Sequence, residues 1–533
     1  MAGRALLPLI AVLAGQVAGL AQEPIDTAMN ARIRTQALEQ SQVMATLHQL
    51  TDVHSPRLTA SPTYKAAADW AAAQLTSWGL ANVHLEPWAF GHPGWANEYC
   101  AAHVEGPWKG HLGVEVVSWT PSTHGVARGA AFLLDLPEEP TQEELTAIFA
   151  GAAKAVAGRI VLVGPSKDTA VLTAVPIPTR HTEETLAKRF DPAAAPTQGG
   201  GFGRSTKPKR PGALEPKVVN AQVDAFLVKH KALVRVNDSG MRNGQIRAFS
   251  NRSLDVKQAV PTVVMRHEDF GRITRVMKDG SKVKLAFDLR NRSFPGSTQG
   301  YNLVAEVPGT DPSGEVIILG AHLDSWHTAT GATDNAASAS VMMEVGRILA
   351  AVGAKPRRTI RVALWDGEEH GLLGSAAYVK AHYGSFEAPL KEFGQVVAYF
   401  NMDSGAGQIR GLAGFGPAAT AKTLRELVAP FEDLGVKGAI TNGNRPVRGG
   451  GPSTDVVSFS SMGLPAINVV QDGLEYFEYT WHTNIDTFDR VPAQDAKRTA
   501  AVLASVAYHL ATRPERLPFF SPEQMPPVPK PQP

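Results

Sequence analysis

The sequence predicts an α/β protein with a mixed, mainly parallel central sheet flanked by helices. Two observations carry that expectation. From Tyr301 to about Ala511, short apolar β-type runs alternate with helical spacings, the pattern of a sheet covered on both faces. Two of the runs, Val316-Ile317-Ile318-Leu319 and Ile360-Arg361-Val362-Ala363-Leu364-Trp365, lead directly into glycine-flanked groups of His, Asp and Glu. Ligands and catalytic groups collect at the carboxyl ends of parallel strands in such sheets. The stretch 316–375 is therefore the one around which the chain is organised.

Taken in order, residues 1–21 read as a cleaved signal peptide. Arg4 supplies the positive start, Ala5 to Leu20 are apolar apart from Gly15 and Gln16, and Gly19-Leu20-Ala21 offers small residues for cleavage. A secreted or periplasmic location follows, and no later apolar run is long enough to span a bilayer. Residues 22–120 are the first part of the main domain. They carry helical spacing over 26–50, a turn at Ser55-Pro56-Arg57, and a helix marked by Tyr64, Ala68, Ala71, Leu75 and Trp78 with Gly79 as its stop. A strand is expected at 83–88.

Residues 121–292 read as an inserted α/β unit, with strands at 158–164 and 261–265 and a helix from His267 to Lys278. Val283, Leu285 and Phe287 then alternate as in a half-buried strand. No strand of this unit ends in acids or histidines, so it is expected to shape access rather than to do chemistry. Within it, Gly199-Gly200-Gly201-Phe202-Gly203 and the following Lys207, Lys209 and Arg210 read as a flexible, solvated loop, because no strand precedes the glycines and no helix follows in register. Residues 293–515 hold the rest of the main domain, with strands at 303–307, 316–321, 359–365, 396–400 and 466–470 and helices at 336–349 and 493–510. Residues 516–533 form a proline-rich, extended tail.

Composition removes several functional classes. The 52 basic and 50 acidic residues leave a formal net charge of +2, which provides no global field for nucleic acid or a membrane surface. Cys100 is the only cysteine, so one chain holds no disulfide, thiolate zinc site or iron–sulfur cluster; a buried, inert thiol is expected.

His322, Asp334, Glu369, Asp403 and His482 are imidazole and carboxylate groups at or just beyond strand ends, each in a turn of glycine or small residues. Any one alone is more often structural. Together they offer the donors that hydrolytic metals take. Two ions sharing one carboxylate, with two further ligands each, would use all five. In the adjacent pair Glu368-Glu369, one residue can coordinate while the other faces a water acidified by the metal.

These motifs resemble those of peptidase family M28, the zinc exopeptidases. The resemblance rests on His322-Leu323-Asp324, Gly331-Ala332-Thr333-Asp334-Asn335, Gly367-Glu368-Glu369-His370-Gly371-Leu372, Asn401-Met402-Asp403-Ser404 and His482-Thr483-Asn484-Ile485-Asp486-Thr487. Within the family the chain is most similar to the carboxypeptidase Q group. The resemblance implies a zinc exopeptidase fold with a protease-associated insert, two Zn2+ ions per chain and short peptides as substrates. Asp334 would bridge the ions, His322 and Asp403 would complete one site, and Glu369 and His482 the other. Glu368 would be the general base, and Asp324 would accept the second ring N–H of His322 and fix its tautomer. The peptide bond after Asp334 would be cis.

Two features depart from the pattern. Gly449-Gly450-Gly451-Pro452-Ser453 stands where several members carry a tyrosine that holds the oxyanion, so that role has no residue here. His327 and His370 match no ligand position and read as supporting or surface residues. The resulting expectation is a secreted di-zinc exopeptidase of aminopeptidase, dipeptidase or carboxypeptidase type. Its rivals are a one-zinc, glutaminyl-cyclase-like aminoacyltransferase and a non-catalytic peptide-binding relative; the complete donor set and an intact Glu368 speak against both. The end of the peptide that is trimmed and the oligomeric state, a homodimer included, stay open.

Overall fold

Val316–His322 and Thr359–Trp365 are apolar almost throughout, the pattern of strands covered on both faces. They pair in parallel with His322 level with Trp365. In the computed structural model, which describes residues 25–166, 180–192, 210–446 and 453–528, they are the centre of an eight-stranded sheet. Its order is Ala81–Ala89, Gln299–Val307, Thr359–Trp365, Val316–His322, Val396–Asn401, Ala466–Gln471, Ile409–Phe415, Gly438–Asn442. The middle four strands are parallel, with Gly320 level with Asn401 and Asn401 level with Asn468. Their carboxyl ends therefore share one edge. The flanking pairs Ala81–Ala89 with Gln299–Val307, Gln299–Val307 with Thr359–Trp365, and Ile409–Phe415 with Ala466–Gln471 are antiparallel, which makes the sheet mixed.

Helices Ala337–Ala351 and Ala493–Thr512 cover one face, as their spacing predicts. Val502, Leu503, Val506 and Leu510 lose essentially all exposure there, each contributing roughly 1.5–3 kcal/mol. The opposite face is aromatic. Trp365, Tyr378, Tyr399 and Phe459 pack together under Leu373–His382 and Val456–Ser460, with Tyr399 and Phe459 stacked at 3.8 Å.

A second eight-stranded sheet runs Gly110–His111, Gly94–Gly106, Lys284–Phe294, Ala127–Leu134, Ile160–Val163, Val234–Asp238, Thr262–Met265, Val114–Val116. The sequence-based boundary at 121 falls after three of these strands, because Gly94–Gly106, Gly110–His111 and Val114–Val116 already lie in this sheet. Gly94–Gly106 pairs antiparallel with Lys284–Phe294, so the chain enters and leaves the unit along one ribbon. Polar Asn97 and Glu98 in the middle of Gly94–Gly106 break its alternation and hide the strand from periodicity. Cys100 lies on it, half-buried, with burial and then Glu115 pushing its thiol up to about 12.

The expected signal peptide, the run 199–203 with Lys207 and Lys209, residues 449–452 and the prolines after 528 lie outside the described residues. Among the described residues no helix is long and apolar enough to cross a membrane.

Candidate metal centre

Each candidate ligand sits at the end of a strand of the parallel centre or in the loop that follows it. His322 is the last residue of Val316–His322, and Asp334 lies in the following turn Ala332–Ala336. Glu368 and Glu369 follow Thr359–Trp365, Asp403 follows Val396–Asn401, and His482 follows the turn Tyr476–Thr480 beyond Ala466–Gln471. Gly331 makes the approach to Asp334 possible. Its φ is +60°, and a Cβ there would meet Ser325 Cβ at 2.4 Å and the Asp334 carbonyl oxygen at 2.8 Å. The Asp334–Asn335 peptide bond is cis, as the resemblance implies.

The two Asp334 carboxylate oxygens face different histidines. Oδ1 lies 3.2 Å from His322 Nε2, and Oδ2 lies 3.1 Å from His482 Nε2. His322 Nε2 is also 3.5 Å from Asp403 Oδ1, and His482 Nε2 is 3.0 Å from Glu369 Oε2. The five residues thus fall into two groups that share Asp334. His322 Nε2, Asp334 Oδ2 and Glu369 Oε1 are nevertheless buried without a hydrogen-bond partner. They lie close to other polar atoms without the alignment of a hydrogen bond. Buried polar atoms left in this way cost free energy unless another group satisfies them. Donor atoms of His322, Asp334 and Glu369 lie within 4.8 Å of one another, as do those of His322, Glu368 and Asp403. Imidazole and carboxylate converging at this range fit a zinc-type cation.

The charges of the cluster set one another. Burial works against the Asp334 carboxylate, but His322 and His482 hold it below the usual range. Burial opposes a proton on His482, yet Glu369 and Asp334 lift it to about 10. Glu369 is pushed up to about 7 by burial, with His482 pulling the other way. Burial holds Glu368 well above the ordinary carboxylate range against the pull of His322.

Asp324 supports the site differently from the expected manner. His322 Nδ1 is 2.9 Å from the Asp324 backbone carbonyl and 3.5 Å from its carboxylate Oδ1. The main chain, not the side chain, is the acceptor for the ring, because the chain turns under the imidazole within two residues. The Asp324 carboxylate instead accepts from the backbone N–H of Glu368 at 3.2 Å, that of Glu369 at 3.3 Å and Thr59 Oγ1 at 3.2 Å.

Two further residues hold the surrounding loops. Arg57, fully buried, donates to the carbonyls of Leu323 and Leu50 at 2.7 Å, Thr330 at 2.8 Å and Gly331 at 2.9 Å. Asp486 accepts from the Thr333 N–H at 2.7 Å and the Asp334 N–H at 3.1 Å. Asp486 stands in the His482 motif, a signal that could have marked it. Arg57 has no such signal, since three of its partners lie 266, 273 and 274 residues along the chain.

His327 and His370 are half-buried supports rather than surface residues. His327 Nε2 lies 2.6 Å from the Val116 carbonyl oxygen, and the His370 ring lies 5.3 Å from Trp119 and 5.2 Å from Trp326. Burial pushes both imidazoles down to about 4. The segment expected to lack the oxyanion tyrosine is, apart from Ser453, outside the described residues.

Residues 302–507 match the sequence profile of Peptidase family M28. Carboxypeptidase Q of Mus musculus is 28% identical over 259 residues, covering 49% of this chain and 52% of that protein. The chain thus spans about half the length of the curated relatives it matches. The crystal structure of a peptidase M28 precursor from Shewanella amazonensis shares the fold with a TM-score of 0.62 at 24% identity, covering 93% of this chain and 98% of that one. A zinc aminopeptidase from Bacillus subtilis does so with a TM-score of 0.53 at 16% identity, covering 91% and 98%. At these identities the two structures bear on the fold alone.

Proposed function

We propose that this chain, which carries a Peptidase family M28 domain over residues 302–507, is a two-zinc exopeptidase that hydrolyses short peptides. The observation that carries the reading is the placement of Asp334, one oxygen 3.2 Å from His322 and the other 3.1 Å from His482. A carboxylate facing two imidazoles in this way suits a bridge between two cations, with Asp403 completing one side and Glu369 the other. Bound zinc would polarise the peptide carbonyl and make a water acidic near neutral pH. Glu368, whose backbone N–H is held by Asp324, would accept a proton from the attacking water and return it to the leaving amine. Burial raises the proton affinity of Glu368, which suits a group that carries a proton between two steps.

The second-sheet unit, which the resemblance reads as a protease-associated domain, would wall the substrate approach. Export to a secreted or periplasmic location belongs to the same proposal, supported by the apolar run at 5–20.

Zinc content per chain and turnover on a dipeptide panel test the reading together. About two zinc ions per chain with dipeptide cleavage supports it. One ion with cyclisation of amino-terminal glutamine, or no ion and no turnover, would overturn it.

A further inference from the structure

A cavity of about 280 Å³ opens where the second sheet meets the loop that carries His482. Part of its wall is the contact between Ile246 and Asn484. The Ile246 N–H donates to Asn484 Oδ1 at 2.8 Å, and the Asn484 N–H donates back to the Ile246 carbonyl at 3.0 Å. The rest comes from the second sheet, with Cys100 on Gly94–Gly106 and Glu115 on Val114–Val116. None of the five candidate metal ligands lines it.

Glu115 is the unusual group in this wall. Val114 and Val116 pack into the core of the second sheet, so strand alternation sends Glu115 to the other face. Val117, next on that face, clusters with Ile246. Among the described residues no cation pairs with the Glu115 carboxyl, and burial alone pushes it up to about 8. Arg266 also lines the cavity, but Asp269 occupies its Nε at 2.6 Å and its Nη2 at 3.0 Å. Ala102, Leu112 and Ile246 supply apolar surface around the acid.

A carboxylate so placed is stabilised by a cation that enters with it. A bare metal ion does not suit the site. Cys100, His111 and Glu115 do not bring three donor atoms within 4.8 Å of one another, as the candidate metal centre does. The apolar wall suits the body of an organic cation instead. The volume lies just below the roughly 300–1,000 Å³ of sites for drug-sized ligands, which sets the size as small.

We propose that this cavity is a second ligand site, apart from the metal centre, for a small primary ammonium ion with an apolar body, its ammonium paired with Glu115. Two sources share that chemistry, a free apolar amino acid and a simple alkylamine. The first is what an exopeptidase releases, and only that choice of probe rests on the peptidase reading above. Asn484 stands two residues beyond His482, so the ligand lies against the segment that carries a candidate metal ligand.

Cys100 supplies the test. It is the only cysteine in the chain and it lines the cavity, so its modification reports on this site and not on the metal centre. The zinc-loaded full chain is treated with methyl methanethiosulfonate at about pH 9, where more of the thiol is ionised, and followed by mass. Saturating 3-methylbutylamine or leucine should slow the reaction by at least about fivefold. The acid 4-methylpentanoate, with the same body and no ammonium, should not slow it. Glu115→Gln should react at one rate with or without the amines. Protection by either ammonium compound supports the site, and which of them protects identifies the source. Protection by neither, or equal protection by 4-methylpentanoate, would overturn the assignment on the wild type alone. So would protection that survives in Glu115→Gln. Absence of peptide cleavage would overturn the peptidase reading and leave the protection result standing.

Discussion

The Asp324 carboxylate accepts from the backbone N–H of Glu368 at 3.2 Å, so the turn after one parallel strand holds the turn after its neighbour. The same carboxylate takes the Glu369 N–H at 3.3 Å, which ties the proposed base and an adjacent ligand to a single support. Asp324→Asn would place an amide N–H₂ against one of those two donors. It should lower kcat by about tenfold to a hundredfold, the usual effect of losing such a support. Steady-state kinetics on protein of known zinc content checks this; unchanged turnover per bound zinc would count against the role.

Glu368→Gln should retain zinc and lose at least about a hundredfold in turnover, because the amide keeps the shape but accepts no proton. Metal analysis alongside kcat decides the matter. Near-normal turnover with full metal content would remove Glu368 as the base.

Zinc affinity should rise with pH. His482 is lifted to about 10 and Glu369 is pushed up to about 7 in the metal-free cluster, so protons occupy the donor atoms that a cation needs. As pH rises those protons leave more easily, and as it falls they compete harder. Competition against a chelator should show affinity at least about tenfold higher at pH 8 than at pH 6. A flat profile would mean that these groups are not the ligands.

His327 makes stability depend on acid in a defined window. Its folded pKa is depressed to about 4 by burial, against an ordinary histidine value of 6.5. Between these values the unfolded chain binds a proton that the folded chain refuses, so stability present above pH 6.5 is lost as pH falls towards 4. The contribution over that window is roughly 3 kcal/mol. Denaturant unfolding at pH 7 and pH 4.5 should show a smaller loss for His327→Gln than for the wild type, and parallel losses would rule the residue out.

The sequence by itself determined the parallel centre and which imidazoles and carboxylates stand at its edge. Both are local properties. A strand buried on two faces is mostly apolar, as Val316–His322 is, and each candidate donor stands at the end of such a strand or in the loop that follows it. The second sheet was partly legible for the same reason, through Ile160–Val163, Thr262–Met265 and the helix His267–Lys278. Only the tertiary structure decided where that sheet begins, since pairing with Lys284–Phe294, not alternation, makes Gly94–Gly106 a strand. It also decided that Asp324 holds the Glu368 turn, that Arg57 binds the Leu323, Thr330 and Gly331 carbonyls ahead of Asp334, and that Arg247 reaches Trp481 from the other sheet. Each of those contacts joins a side chain to main chain or to a ring far away in sequence, and a contact of that kind leaves no periodic or motif trace in the chain that makes it.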